Sequence, residues 1–122
     1  MKKEKIHISL ITNSNREENN LLGEYNREKK IIEYYESNSL RSKITIDLSN
    51  HLLIKDNIDY RITLNLDVNN KSSGEILLKK ENKILNLEIE TSKFELKDNK
   101  VTMKYIIIDS KEEIIYEIEM GD

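Results

Sequence analysis

Apolar and polar residues take turns along most of this chain. In KILNLEIETSKFELKDN, Lys83 to Asn99, the residues Leu85, Leu87 and Ile89 alternate with Asn86, Glu88 and Glu90, and Phe94 and Leu96 resume the beat. A period of two places successive side chains on opposite faces of an extended strand, so one face is dry and the other solvated. The pattern recurs in Ile6, Ile8 and Leu10 around His7 and Ser9, and in Ile44, Ile46 and Leu48 around Thr45 and Asp47. It returns in Ile62, Leu64, Leu66 and Val68, in Val101, Met103, Tyr105 and Ile107, and in Ile114, Tyr116, Ile118 and Met120. Shorter apolar runs, KIIEYYES, HLLIK and EILLK, complete the series. TNSNREENN reads as a polar connection and NNKSSG, Asn69 to Gly74, as a loop, because their residues each favour turns. The spacing predicts about 8–10 strands at intervals of about 10 residues.

One segment competes for a helix. In NREENNLLGEYNREKKIIEYYESN, Leu21, Leu22, Tyr25, Ile32 and Tyr35 can be drawn at helical spacing. Gly23 inside the run, the Asn19-Asn20 pair and the β-prone IIEYY oppose it. Strands it is, then, and strands have edges. The chain has no Pro to blunt an open edge, whereas a closed sheet has none and turns every dry face inward. The expectation is an all-β single domain over residues 1–122, folded as an antiparallel up-and-down β-barrel.

Composition sharpens this. The chain has 122 residues, room for one core, and it lacks Ala, the best helix former, while Ile is abundant. Charged residues make up 35%, with 20 basic against 23 acidic and the signs interspersed, which is a solvated surface rather than a nucleic-acid footprint. No nucleic acid is expected as a partner. Zero Cys excludes disulfides and thiol chemistry. MKKEKIHISLIT has a basic start, but its apolar run is short and broken by His7 and Ser9, so neither a leader nor a membrane partner is expected and a cytoplasmic protein is the default.

Four stretches together carry a resemblance. They are IIEYYES (Ile31–Ser37), SKITIDLSNHLLIK (Ser42–Lys55), LNLEIET (Leu85–Thr91) and KVTMKYII (Lys100–Ile107), in this order and near these separations. With them the chain resembles the YwiB-like family, an uncharacterised bacterial family of unknown function with a calycin-like (lipocalin-like) β-barrel. The resemblance runs from Ile6 to Met120 and implies that barrel here. The chain departs from the family at Lys55-Asp56, where an Arg-Gly or similar pair is usual, and at KKENK, Lys79 to Lys83, where a Thr-Pro-x-Gly turn is usual. Turns tolerate such replacement better than barrel faces do.

Candidate chemistry is sparse. His7 sits on a polar phase and His51 at a turn, and no H-E-x-x-H or Cys cluster accompanies them, so no metal is expected. DVNNKSSGE faintly resembles a calcium loop, but Lys71 stands where an oxygen ligand belongs. With three Gly, none in G-x-S-x-G or a phosphate cradle, the chain is not expected to be an enzyme or to hold a cofactor. Glu88 with Glu90, and Glu117 with Glu119, fall on wet faces as solvated rows.

The tyrosines are more informative. Tyr34 and Tyr35 point to opposite faces of one strand, so one of them goes inside; Tyr105 and Tyr116 share the dry phase of theirs. An inward Tyr must satisfy its hydroxyl against a polar partner, a water or a ligand. Arg61 is out of phase with Ile62 and Leu64 and points outward. Large aliphatics, with no Ala or Gly at the inner positions, predict an interior that side chains nearly fill. The reading that follows is a non-catalytic binding module for a small apolar ligand at the barrel mouth, lined by Tyr34 or Tyr35, Tyr105 and Tyr116. The alternative is a protein-interaction or homodimerising module, because Ile106, Ile108 and Ile115 fall on the phase opposite the core.

Overall fold

In the computed structural model, which describes residues 3–36, 40–68 and 72–121, the alternation becomes ten antiparallel strands and no helix among the described residues. They are β1 (Lys3–Thr12), β2 (Asn15–Asn26), β3 (Ile31–Tyr35), β4 (Lys43–Asp47), β5 (Leu52–Asp56), β6 (Tyr60–Asn65), β7 (Ser73–Leu78), β8 (Lys83–Lys97), β9 (Lys100–Ile107) and β10 (Glu112–Met120). Each strand pairs with its neighbours in sequence, and β10 returns to β1 from Ile6↔Met120 to Thr12↔Ile114. The sheet is a closed up-and-down barrel.

The turns follow from twist. Asn13-Ser14 and Asp98-Asn99 are two-residue loops with both φ values positive, the turn whose twist matches that of the flanking strands. Four other hairpins use four-residue loops whose last residue, Lys30, His51, Asn82 or Lys111, is left-handed. Only Asn is at home there; the Cβ of the others meets backbone at a cost of about 1–2 kcal/mol. His51 is steadied by stacking on Phe94, with ring centroids 4.5 Å apart. At the same turn Asp47 Oδ1 accepts the backbone N–H groups of Ser49 and Asn50.

Two strands set the stagger. β8 is the longest, and its bulge between Thr91 and Lys93 resets which side chains point inward. Before it Leu87, Ile89 and Thr91 face in; after it Phe94 and Leu96 do, opposite Met103 and Val101. β2 is the other. Its first half, Asn15–Asn20, is a strand rather than the connection expected from its composition, because it pairs along β1 from Thr12↔Asn15 to His7↔Asn20 while both of its faces stay exposed. β2 meets β3 only from Glu24↔Glu33 to Asn26↔Ile31. Beyond Gly23 the two strands part, leaving a seam.

The core is concentrated at one end. Ile6, Ile32, Ile46, Leu66, Val101, Met103 and Ile118 are almost fully buried there, with Leu48 and Met120 closing the floor. Val68, read as inward from its phase, lies beyond the end of β6 and is exposed. Residues 69–71 of the expected loop lie outside the described residues, and its last two, Ser73 and Gly74, already belong to β7. The expectation that no Gly occupies an inner position is overturned twice. A Cβ at Gly23 would overlap Ile6 Cδ1 and come within 2.9 Å of the Glu33 carbonyl oxygen; one at Gly74 would lie 2.7 Å from Leu64 Cδ2. These glycines let bulky neighbours cross the interior.

Backbone strain and crowding therefore give opposite signs to two glycine exchanges. Lys111→Gly should stabilise the barrel by about 0.5–1 kcal/mol, the left-handed penalty less the added chain entropy. Gly23→Ala should destabilise it by about 1–3 kcal/mol through overpacking. Urea denaturation of both variants checks the pair.

Candidate functional site

Opposite the packed floor, the register assembles a mouth. Inward side chains run side by side from β3 to β8 as Tyr34, Ile44, Lys55, Ile62, Ile76 and Leu85. The next row toward the floor is Ile32, Ile46, Leu53, Leu64, Gly74 and Leu87. Gly74 contributes no side chain to it. Between these rows and the facing residues Tyr105, Ile107, Ile114 and Tyr116 lies a hollow of about 400 Å³. The expectation of a nearly filled interior holds for the floor half and fails for this one. A second hollow of about 130 Å³ opens at the seam between β2 and β3, where Leu10, Glu17, Leu21, Tyr34 and Glu36 meet Tyr116. Tyr116 lines both.

The polar groups of the mouth stand on inward positions. Lys55 Nζ lies 3.0 Å from Glu36 Oε1, the two side chains 27% and 23% exposed, which joins the rims of the two hollows. Glu112 pairs in register with Ile107 on the inner side of β10, and Asp109 and Ser110 extend the rim on the adjoining turn. Nearby, buried Asn57 Nδ2 donates to Ser42 Oγ and its Oδ1 accepts from the backbone of Asp59 and Tyr60, which fixes the β5–β6 turn.

The three tyrosines Tyr34, Tyr105 and Tyr116 share this mouth. Tyr34 and Tyr105 are each 4% exposed and Tyr116 is half-buried. None of their hydroxyls has a hydrogen-bond partner among the described residues. All three phenols hold their protons well above the usual range. Burial is the main cause, reinforced at Tyr34 by Tyr116 and Glu36, at Tyr105 by Tyr116 and Glu112, and at Tyr116 by Glu36 and Glu17.

Tyr35 does not join them. It pairs with Lys43 on the outer face and is 55% exposed, because neighbours in a strand point apart and register commits Tyr34 to the inside. Arg61 is exposed on the outer face, so the charges beside the tyrosines are Glu36, Lys55, Glu112 and Glu17 instead. Those four were missed as site residues. A signal existed: Lys55 follows Leu53 by two and Glu112 precedes Ile114 by two, placing charge on a dry phase.

Ile106 and Ile108 are exposed and Ile115 half-buried, on the outside of β9, the following turn and β10; Ile115 sits opposite Ile11 of β1. His7 is on the outer face, its Nδ1 2.6 Å from Asn20 Oδ1 and its Nε2 3.4 Å from Glu18 Oε1; these partners, Asn20 first, hold its proton to higher pH than usual. His51 is at its turn, far in register from His7. Among the described residues no three His, Cys, Asp or Glu groups are placed to hold a metal. A larger depression, about 660 Å³, lies on the outer face of β8–β10, and its lining is mostly charged: Lys93 pairs with Glu95 and Lys100 with Glu117 and Glu119, beside Lys97, Asp98 and Lys104.

No protein-family model, no curated protein and no solved structure matches the chain. What the strand pairing itself establishes is a closed ten-stranded antiparallel barrel.

The raised phenol pKa values fix a pH dependence. In the unfolded chain these groups ionise near pH 10, and in the barrel later, so the unfolded state loses its protons first. Their contribution to stability is complete below about pH 10 and is lost as pH rises beyond it. A phenolate absorbance titration should therefore show three tyrosines that ionise only as the barrel unfolds.

Proposed function

We propose that this protein is a non-catalytic binding module that holds a small molecule with an apolar body in the barrel mouth. One observation carries the reading: a hollow of about 400 Å³, walled mainly by aliphatic side chains and lined also by almost fully buried Tyr105 and by Tyr116, whose hydroxyls have no hydrogen-bond partner among the described residues. Its size falls within the range of small-molecule sites, and the mix of apolar wall with a few convergent polar groups is theirs too. The ten strands and open mouth agree with the calycin-like barrel that the resemblance to the YwiB-like family implies, and we read the chain as a bacterial relative of that family. Barrels of about this strand number have room for one small ligand, which supports the reading by analogy of fold alone.

The outer faces favour action in water. None of the described helices is long and apolar enough to cross a membrane, there being no helix, and the outward rows of β8–β10 carry Lys93, Glu95, Lys100, Lys104 and Glu117 where a membrane barrel needs an apolar band. A second reading, homodimerisation, rests on Ile11 and Ile115 lying side by side with Ile106 one step diagonal. Light scattering checks it: Ile115→Lys should turn a dimer into a monomer, and a monomeric parent protein removes the reading.

Displacement of a neutral fluorescent probe by decanol tests the first. Binding should be seen with the parent protein and should weaken at least about tenfold in Leu87→Trp, whose ring fills the hollow, while the far-ultraviolet circular dichroism is retained. Equal affinity in both proteins would move the ligand out of the mouth, and no binding of probe or decanol would end the proposal.

A further inference from the structure

We propose that the mouth selects a cationic amphiphile, an amine head on an aliphatic or aromatic body. The inference rests on the binding reading above and names the ligand's class. The charged side chains lining the two hollows are Glu17, Glu36, Asp109 and Glu112 against Lys55 alone. Lys55 is engaged by Glu36 at 3.0 Å, so no lining cation is left to receive a carboxylate or phosphate head. Glu17, Asp109 and Glu112 form no ion pair with any described residue.

The carboxylates alone would be a solvated rim. What makes them part of a site is what lies beneath: an apolar hollow lined by Tyr105, and beside it the smaller hollow lined by Tyr34, both tyrosines more than nine-tenths buried and without a hydrogen-bond partner among the described residues. An ammonium entering here exchanges water for carboxylates at the rim, for phenol oxygens that accept its N–H groups, and for the faces of aromatic rings. Its tail takes the space beside Ile62, Ile76 and Leu87. An anionic head would meet the same carboxylates across a partly desolvated gap, where repulsion is far stronger than in open water. The buried phenols register the sign of that field, since Glu36, Glu112 and Glu17 each help keep them protonated. Electrostatic complementarity of this kind acts on selectivity more than on total affinity.

The test is a matched series, decylamine, decanol and decanoate, each displacing the same neutral probe at neutral pH and low salt. Decylamine should bind at least about tenfold more tightly than decanoate, with the ratio shrinking as salt is added. Glu112→Gln and Glu36→Gln should each narrow the ratio, whereas Glu90→Gln on the outer face should not. If decanol binds but decanoate equals or exceeds decylamine, the charge selectivity is wrong and the binding reading stands. If neither mouth variant narrows the ratio, the selectivity does not arise from these carboxylates and the assignment falls. If neither the probe nor decanol binds, the binding reading falls and takes the inference with it. Circular dichroism of each variant separates lost selectivity from lost fold.

Discussion

The pairing of β1 with β10 is the contact on which the remaining structure depends. From Ile6↔Met120 to Thr12↔Ile114 it converts a meander into a ring, and a ring has only two sides. Once closed, every strand must present its dry phase to the same enclosed space, because a slip of one residue would drive Glu113, Glu117 and Glu119 inward and expel Ile114, Ile118 and Met120. The alternation is thus a condition imposed on ten strands at once. Each is too short to be stable alone, and the hydrogen bonds of closure satisfy the edges that any open form would expose.

Much of this is readable in the residues. The strands β4, β6, β8, β9 and β10 follow from the period of two and β3, β5 and β7 from short apolar runs, and the inward set follows from the phase. The jump from Leu85, Leu87 and Ile89 to Phe94 and Leu96 changes from odd to even positions, and the bulge after Thr91 is its physical form: one extra residue restores the dry face. The first half of β2 is not readable in this way. Asn15–Asn20 has no apolar phase, since it faces water on one side and the open seam on the other; only its long pairing with β1 makes it a strand, and pairing is a property of the partner. Val68 fails for the converse reason: the phase continues past the point where the strand ends.

The site was partly legible. Dry-phase tyrosines pointed to the mouth, and the choice between Tyr34 and Tyr35 needed the register with β4. The hollow itself was not readable, because it depends on how large side chains pack across the ring. Gly74 reads as the end of a loop, yet it takes an inward place between Leu64 and Leu87, and Leu64 leans into the space that its missing side chain leaves. The inward charges were written in the sequence and passed over, because a charged residue beside a turn is ordinarily a solvated one.

Why those charges lie at one end and not the other is a question of dielectric. On the floor, Ile32, Ile46, Leu66, Val101, Met103 and Ile118 exclude water entirely, and an ion pair there would lose more hydration than its own attraction returns. At the mouth, Lys55 and Glu36 remain about a quarter exposed, so they keep part of their hydration while still standing over an apolar hollow. The barrel is thereby divided between an end sealed from water and an end that stays partly hydrated. Tyr34 and Tyr105 mark the boundary: they belong to the same core cluster as Ile44 and Leu53, yet Tyr34 lines the smaller hollow and Tyr105 the larger. An unfilled apolar hollow reduces stability relative to an apolar filling. A fold selected for stability alone would have closed this end as it closed the other, so the hollow is the feature that the proposed ligand accounts for.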